Sequence, residues 1–250
     1  MLPFHKTLII IPTYNEAPNI ERVIKRIHSL SSQINILVVD DNSPDQTADI
    51  VSDLSKQFTQ IHLLSRSKKM GLGTAYICGL KYALENNYEY AFEMDADGSH
   101  DIEDIPRFLE VAPHMDLVIG SRYLGGIRII NWSLRRLLLS YFASWYTRFI
   151  TGMPLYDGMS GFKCFNRHAL ESLPLNQITS NGYAFQIEVN YLLWNKGLKI
   201  KEIPIVFYER RIGRSKMNWG VIWEAVWRVP WLRVKKLLGP LKNFNNKSIN

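Results

Sequence analysis

Tyr90-Ala91-Phe92-Glu93-Met94-Asp95-Ala96-Asp97-Gly98-Ser99-His100 decides the fold. A mostly apolar run ends abruptly in two aspartates one residue apart. Such a run closed by a sharp turn predicts a buried strand reaching its carboxyl end. The turn then sets Asp95 and Asp97 at the rim of a sheet, where open α/β sheets bind ligands. Two carboxylates this close repel each other unless a cation lies between them. A hard divalent ion, Mg²⁺ or Mn²⁺, takes oxygen ligands and shares them with a substrate phosphate. The plain alternative is a solvated turn in which Asp95 caps a helix.

Reading outward, the first hundred or so residues alternate. Thr7 to Pro12, Ile34 to Val39, Gln60 to Leu64 and Asp116 to Ile119 are further apolar, β-rich runs. Helical spacing fills the gaps, as in Ile20, Val23, Ile24, Ile27 and Leu30, with Pro18 suited to a helix start. Further helices are expected from about Gln46 to Phe58, after Gly73 through Asn87, and near Glu103 to Val111. Repeated β-α-β-α with buried strands predicts a parallel sheet covered by helices on both faces. Tyr14/Glu16, Asp40/Asp41, Lys68/Lys69 with Gly71, and Asp95/Asp97 each follow a strand. In a parallel sheet those loops emerge on one side, which predicts a single ligand cleft. Gly71-Leu72-Gly73 has Tyr76 where a dinucleotide fingerprint needs its third glycine, and it follows the third strand, not the first. A Rossmann dinucleotide site is therefore rejected; a tight turn into a helix, or a phosphate contact at that helix start, remains.

Beyond the sheet, Gly120-Ser121-Arg122-Tyr123 sets an arginine at a strand end, which suits a diphosphate. Leu134 to Leu139 opens an amphipathic helix with an aromatic middle from Tyr141 to Tyr146. Asp157 to Lys163 reads as a loop, and Asn181 to Glu188 leads into another helix. Phe207 to Lys216 is a dense basic loop. Trp219, Trp223, Trp227 and Trp231 then recur every four residues and form one helical stripe until Pro230 interrupts. That stripe is either core or an interfacial helix with tryptophan at headgroup depth. His100 reads as a loop residue, and no histidine has zinc-ligand spacing.

Bulk properties set limits. The 250 residues, 46% hydrophobic, suffice for one substantial core or one domain with an appendage. Cys78 and Cys164 make no disulfide framework, so a reduced, cytosolic setting is the simplest inference. The N-terminus has no signal-peptide h-region, and the uncharged stretch Leu137 to Thr147 is too short to span a bilayer. The net charge is +7, and it is unevenly placed. Lys199 to Asn250 holds twelve Lys/Arg against three Asp/Glu, giving +9 there and −2 in the first 198 residues. Such a basic segment seeks phosphates or an anionic membrane surface.

Several motifs now converge. Ile11-Pro12-Thr13-Tyr14-Asn15-Glu16, Val38-Val39-Asp40-Asp41-Asn42-Ser43-Pro44-Asp45 and Met94-Asp95-Ala96-Asp97 resemble inverting nucleotide-sugar glycosyltransferases. Gly120-Ser121-Arg122-Tyr123, Ser160-Gly161-Phe162-Lys163 and Gly213-Arg214-Ser215-Lys216 narrow the resemblance to dolichol-phosphate (polyprenol-phosphate) mannosyltransferases, over about residues 6 to 217. The resemblance implies a GT-A, Rossmann-like fold: a mostly parallel sheet flanked by helices, with C-terminal amphipathic helices. It implies a catalytic domain over 1–217 and a basic, Trp-rich membrane-associating segment over 218–250. Carried over by position, Pro12, Tyr14 and Glu16 would hold base and ribose, with Val39 and Asp41 on the base side. Asp95, Ala96 and Asp97 would hold ribose, diphosphate and a divalent metal, with Ser99 completing the metal shell. Arg122, Arg136, Arg210 and Lys216 would bind the diphosphate and the acceptor phosphate, Arg136 serving the acceptor. Asp95, Asp97 and Arg122 would be catalytic.

The implied reaction is inverting transfer of mannose from GDP-mannose to a polyprenyl or dolichyl phosphate, at the cytoplasmic face of a membrane to which the protein is peripherally bound. No nucleic-acid partner is expected, while a membrane-anchoring partner subunit has a place. Two departures bear on the acceptor. Only Gly125-Gly126 remain of a glycine run often richer in the family, and the C-terminal transmembrane helices of many relatives are absent. The alternatives are UDP-glucose as donor, or a non-catalytic nucleotide-sugar or lipid-surface binding subunit.

Overall fold

The computed structural model describes residues 2–209 and 227–234. Its chain runs β1 (Thr7–Thr13), α1 (Ala17–Leu30), β2 (Asn35–Asp40), α2 (Thr47–Gln57), β3 (Ile61–Ser65), α3 (Leu72–Glu85) and β4 (Tyr90–Glu93). After α4 (Ile105–Val111) and β5 (Leu117–Ser121) come β6 (Ile129–Ile130), α5 (Leu134–Thr151), β7 (Lys163–Asn166) and α6 (Arg167–Ser172). Then follow α7 (Gly182–Asn195), β8 (Ile200–Pro204) and β9 (Phe207–Tyr208), and residues 227–234 are helical.

One seven-stranded sheet orders these as β3-β2-β1-β4-β7-β5-β8. All its pairings are parallel except those of β7, which runs antiparallel to both β4 and β5. The mostly parallel α/β sheet expected from the sequence is borne out. The antiparallel strand in its middle was not foreseen. Lys163-Cys164-Phe165-Asn166 is short, and its buried lysine breaks the apolar run by which a central strand is recognised. β6 and β9 form a separate parallel pair, Ile129 opposite Phe207 and Ile130 opposite Tyr208.

The period of two in β1 builds two cores. Ile9 and Ile11 join α1, α2 and α4 on one face, through Ile20, Val23, Ile24, Ile27, Val51 and Phe108. Leu8 and Ile10 join α3, α6 and α7 on the other, through Tyr76, Leu80, Leu170, Phe185 and Val189. Val229 and Leu232, from residues 227–234, are buried in that second core, whereas Trp227 and Trp231 stand 69% and 46% exposed. The helix continues across Pro230, which does not interrupt it. Trp219 and Trp223 lie outside the described residues. Among the described residues no helix is long and apolar enough to cross a membrane.

α3 lies unusually close on the sheet because Gly79 has no side chain. A Cβ there would stand 2.3 Å from Ile10 Cγ2. Gly79→Ala is therefore expected to overpack this contact and cost about 1–3 kcal/mol. Combining it with Ile10→Ala should cost less than the two changes added separately, as read from urea unfolding midpoints. Strict additivity would show that α3 can shift away freely.

Candidate functional site

β4 stops at Glu93, and the chain turns through Asp95 to Asp97 at the carboxyl end of the parallel strands. Met94 N–H still donates to Ile10 carbonyl oxygen at 3.1 Å, so the turn begins anchored to β1. Asp95 N–H donates to His100 Nδ1 at 3.3 Å. His100 is 4% exposed, its ring stacked on Phe162 (4.8 Å, 12°) and edge-on to Phe207 (5.5 Å, 73°). Burial pulls its pKa down to about 4, so the imidazole is neutral at neutral pH and accepts through Nδ1. It lies in the loop after β4, as expected, and there it is a buried brace of the acidic turn. Asp97 accepts the Ser99 N–H at 3.0 Å, closing the turn on itself. Tyr76 O–H reaches Asp95 at 3.4 Å; burial and then the Asp95 charge push the phenol well above its ordinary pKa, so it keeps its proton.

A glutamate and a lysine in register lie behind this turn. Glu93 and Lys163 are cross-strand partners and both are fully buried. Burial raises the Glu93 pKa and lowers that of Lys163 to about 8, each shift opposed by the partner's charge. Lys163 Nζ donates to the Gln186 carbonyl at 3.2 Å.

One cavity of about 410 Å³ opens at this end of the sheet. Pro12, Tyr14, Glu16 and Asp41, from the ends of β1 and β2, line it. Asp95, Ala96 and Asp97 form its floor, and Arg122 and Arg136 also line it. The loops expected to share one side therefore do so. Two expected site residues are not on the lining. Val39 is an interior residue of β2, fully buried in the core, and Ser99 is buried behind the turn. Arg210 and Lys216 lie outside the described residues.

The carboxylates and guanidinium groups are held by partners that sequence reading did not supply. Asp41 pairs with Arg66 and accepts N–H bonds from Met70 and Gly71 at 3.0 and 3.1 Å. Its role here is to pin the 66–71 loop as a wall of the cavity. Lys69 Nζ then lies 4.0 Å from the centre of the Tyr14 ring. Asp40, by contrast, is spent on Thr13 and Ser43 and does not reach the cavity. Arg122 forms a buried fork on Asp157, Nε to Oδ2 and Nη2 to Oδ1, both 2.7 Å. Burial works against its charge, but Asp157 more than offsets this and raises its pKa. Asp157 N–H in turn donates to Glu202 at 2.7 Å. Arg136 donates to Glu209 at 2.8 Å and lies over Trp132, 3.9 Å from the ring centre. Asp157 stood in the sequence as an acid in a glycine loop, the available signal; Trp132 carried none, since one tryptophan before a helix has no pattern.

A divalent metal fits the donors present. Asp95 and Asp97 bring two carboxylates, and the buried Ser99 hydroxyl has no hydrogen-bond partner among the described residues. This is a hard-oxygen set suited to Mg²⁺ or Mn²⁺. Among the described residues it is not a closed site, since no group of three or more His, Cys, Asp and Glu could hold a metal. A diphosphate bound there would supply the missing oxygens.

The family model described as glycosyl transferase family 2 matches residues 8–173. Over 229 residues the chain is 42% identical to polyprenol monophosphomannose synthase of Mycolicibacterium smegmatis, covering 91% of this chain and 86% of the relative. It is 40% identical to undecaprenyl-phosphate mannosyltransferase of Micrococcus luteus over 221 residues, 88% of this chain and 91% of that one. Among solved structures, glucosyl-3-phosphoglycerate synthase from Mycobacterium tuberculosis, in complex with Mn²⁺, UDP-glucose and phosphoglyceric acid, superposes with a TM-score of 0.64. That alignment covers 89% of this chain and 79% of the other at 20% identity, a likeness of fold of the GT-A kind.

The Arg122–Asp157 fork yields a stability test. Asp157→Ala leaves a buried guanidinium unpaired and is expected to cost about 3–5 kcal/mol in urea unfolding. Arg122→Met with Asp157→Leu should recover much of that loss, because no unpaired charge remains. An unchanged midpoint for Asp157→Ala would mean that Arg122 finds water or another acceptor.

Proposed function

Since this chain belongs to glycosyl transferase family 2, we propose that it transfers mannose from GDP-mannose to the phosphate of a polyprenol or dolichol, with inversion at the sugar carbon. The observation that carries this reading is the meeting of Asp95 and Asp97 with Arg122 and Arg136 in one cavity. Carboxylates and guanidinium groups lining one cavity suit a diphosphate beside a second phosphate. The relatives named for mannosyl transfer to lipid phosphates support the sugar and the acceptor.

In this reading Pro12, Tyr14 and Glu16 hold base and ribose. Asp41 shapes the base side through the loop it pins. Asp97 with Ser99 would hold a Mg²⁺ or Mn²⁺, which supplies charge neutralisation of the leaving diphosphate. Arg122 adds a fixed cation to the same leaving group, and in this reading Arg210 and Lys216 add two more. Arg136 holds the acceptor phosphate. A phosphate monoester has its second pKa near ~6, so it is mostly dianionic at neutral pH and needs no general base. Its oxygen forms the new bond to the anomeric carbon from the face opposite the nucleotide. The carbon–oxygen bond to GDP breaks, and GDP departs with the electron pair.

The lipid tail calls for a membrane surface, and α5 offers one. Leu138, Phe142, Trp145 and Phe149 recur at helical spacing and are 47–67% exposed. The helix carries Arg135, Arg136 and Arg148 and no acidic residue. Such a face sits at the headgroup boundary of an anionic bilayer. Trp227 and Trp231 extend the exposed aromatic surface, and Arg233 ties them to α5 through the Ile150 carbonyl at 2.7 Å. Residues 1–217 are the catalytic domain in this reading, and 218–250 help hold it peripherally on the cytoplasmic face, alone or with an anchoring partner subunit.

The decisive assay incubates the protein with radiolabelled GDP-mannose, polyprenyl phosphate and Mg²⁺ or Mn²⁺, then extracts into organic solvent. Label in the organic phase, not displaced by excess UDP-glucose, is the expected result; transfer from UDP-glucose instead would reassign the donor. Asp97→Asn should keep the melting temperature and reduce transfer by about a hundredfold, the scale for losing a charge-stabilising group in a closed site. Near-normal turnover of that variant with metal present would remove Asp97 from the reaction.

Flotation with anionic vesicles tests the surface. Phe142→Glu with Trp145→Glu should abolish binding, and truncation at Lys216 should weaken it. Salt should weaken what remains. Binding by the α5 variant equal to the unchanged protein would clear α5 of membrane contact.

A further inference from the structure

Trp132 lies between β6 and α5, just after Asn131, whose φ of 68° turns the chain there. Asparagine tolerates this left-handed conformation better than most residues. The turn sets the indole on the cavity lining beside Arg122 and Arg136. Arg136 lies 3.9 Å from the ring centre and Arg122 lies 5.7 Å from it. Phe207 meets the ring edge-on at 5.4 Å and 78°. Both guanidinium groups are tethered to carboxylates, Arg122 to Asp157 and Arg136 to Glu209. The indole Nε1–H is buried and has no acceptor among the described residues. A buried donor without a partner carries the desolvation penalty of that group. Beside two cations, the group that completes it is an anion with several acceptor oxygens.

We propose that Trp132 is a substrate-binding residue of the acceptor phosphate: its indole N–H donates to a phosphate oxygen, while its ring holds the Arg136 guanidinium toward the same anion. The inference rests on the mannosyl-phosphate reading above and adds to it a donor outside the arginines. The indole gives the phosphate a direction, because it donates along one line, whereas a guanidinium attracts from many. The ring is also large enough to stack Arg136 through cation–π attraction while its edge faces the phosphate.

The test separates the N–H from the ring. Trp132→Phe removes the donor and keeps an aromatic face. Replacement of Trp132 by 3-benzothienylalanine, introduced at that codon, exchanges N–H for sulfur within the same outline. Binding is measured by calorimetry with geranyl phosphate, inorganic phosphate and GDP-mannose. Both variants should bind geranyl phosphate about tenfold more weakly, as for a lost hydrogen bond to a charged group. Inorganic phosphate should weaken by a similar factor if it reaches the same seat, and GDP-mannose binding and melting temperature should not move. Unchanged geranyl phosphate affinity in the benzothienyl protein would overturn the donor role. Equal weakening of GDP-mannose would move Trp132 to the donor site and likewise overturn it. If the unchanged protein transfers no mannose but binds geranyl phosphate through Trp132, the mannosyl reading fails and the subsite stands.

Discussion

Everything at this site follows from repulsion between two carboxylates. Asp95 and Asp97 come from one turn, and nothing in the backbone lets them move apart. The fold answers by dividing the labour. Asp97 is steadied by the Ser99 N–H, while Asp95 is braced at its backbone by a neutral His100 and at its side chain by Tyr76. None of these braces cancels the charge. Hydrogen-bond donors thus hold the geometry of the turn, and its carboxylates suit a ligand that brings cations or donates hydrogen bonds.

The cations obey the complementary rule. Arg122 and Arg136 each lean on one carboxylate, Asp157 and Glu209, so the positive wall is rigid before any anion arrives. A guanidinium has five N–H donors, and one carboxylate uses only some of them. Preorganisation of this kind spares the ordering of long side chains at the moment of binding. Asp157 is itself set by Glu202 of β8, which links the positive wall to the far edge of the sheet. The negative wall is rooted in β1 and β4 at its centre.

The parallel half of this design was legible from residues alone. Apolar runs ending in polar clusters marked β1, β2, β3 and β4, and the common side of those clusters followed from parallel pairing. The acidic turn, Tyr14, Glu16 and Arg122 were legible because they sit where a strand's periodicity breaks. What escaped notice had no local period. β7 is four residues long with a lysine at its start, and its pairing depends on Glu93 seventy residues earlier in the chain. Asp157 finds Arg122 only when β5 and the 157–161 loop are folded together. The burial of His100 was not legible because it comes from Phe162 and Phe207, both distant in sequence. Val39 carries the reverse lesson: a strand residue matched to a site by position sits in the core in this chain.

The insertion of β7 between β4 and β5 also fixes an order of assembly. β1 to β4 pair with one another in near-sequence succession, so that half can form as soon as residue 93 is available. β5 cannot join it, because its place is two strands away and the strand between is still to come. From residue 121 to residue 163 an apolar strand waits without its neighbour while α5 is made. β4 meanwhile shows a bare edge, a template for wrong pairing. Only when Lys163 arrives opposite Glu93 can β7 seat between β4 and β5, leaving β8 to complete the sheet. The same pairing that underlies the acidic turn is therefore the late, non-local step on which a correctly registered molecule depends.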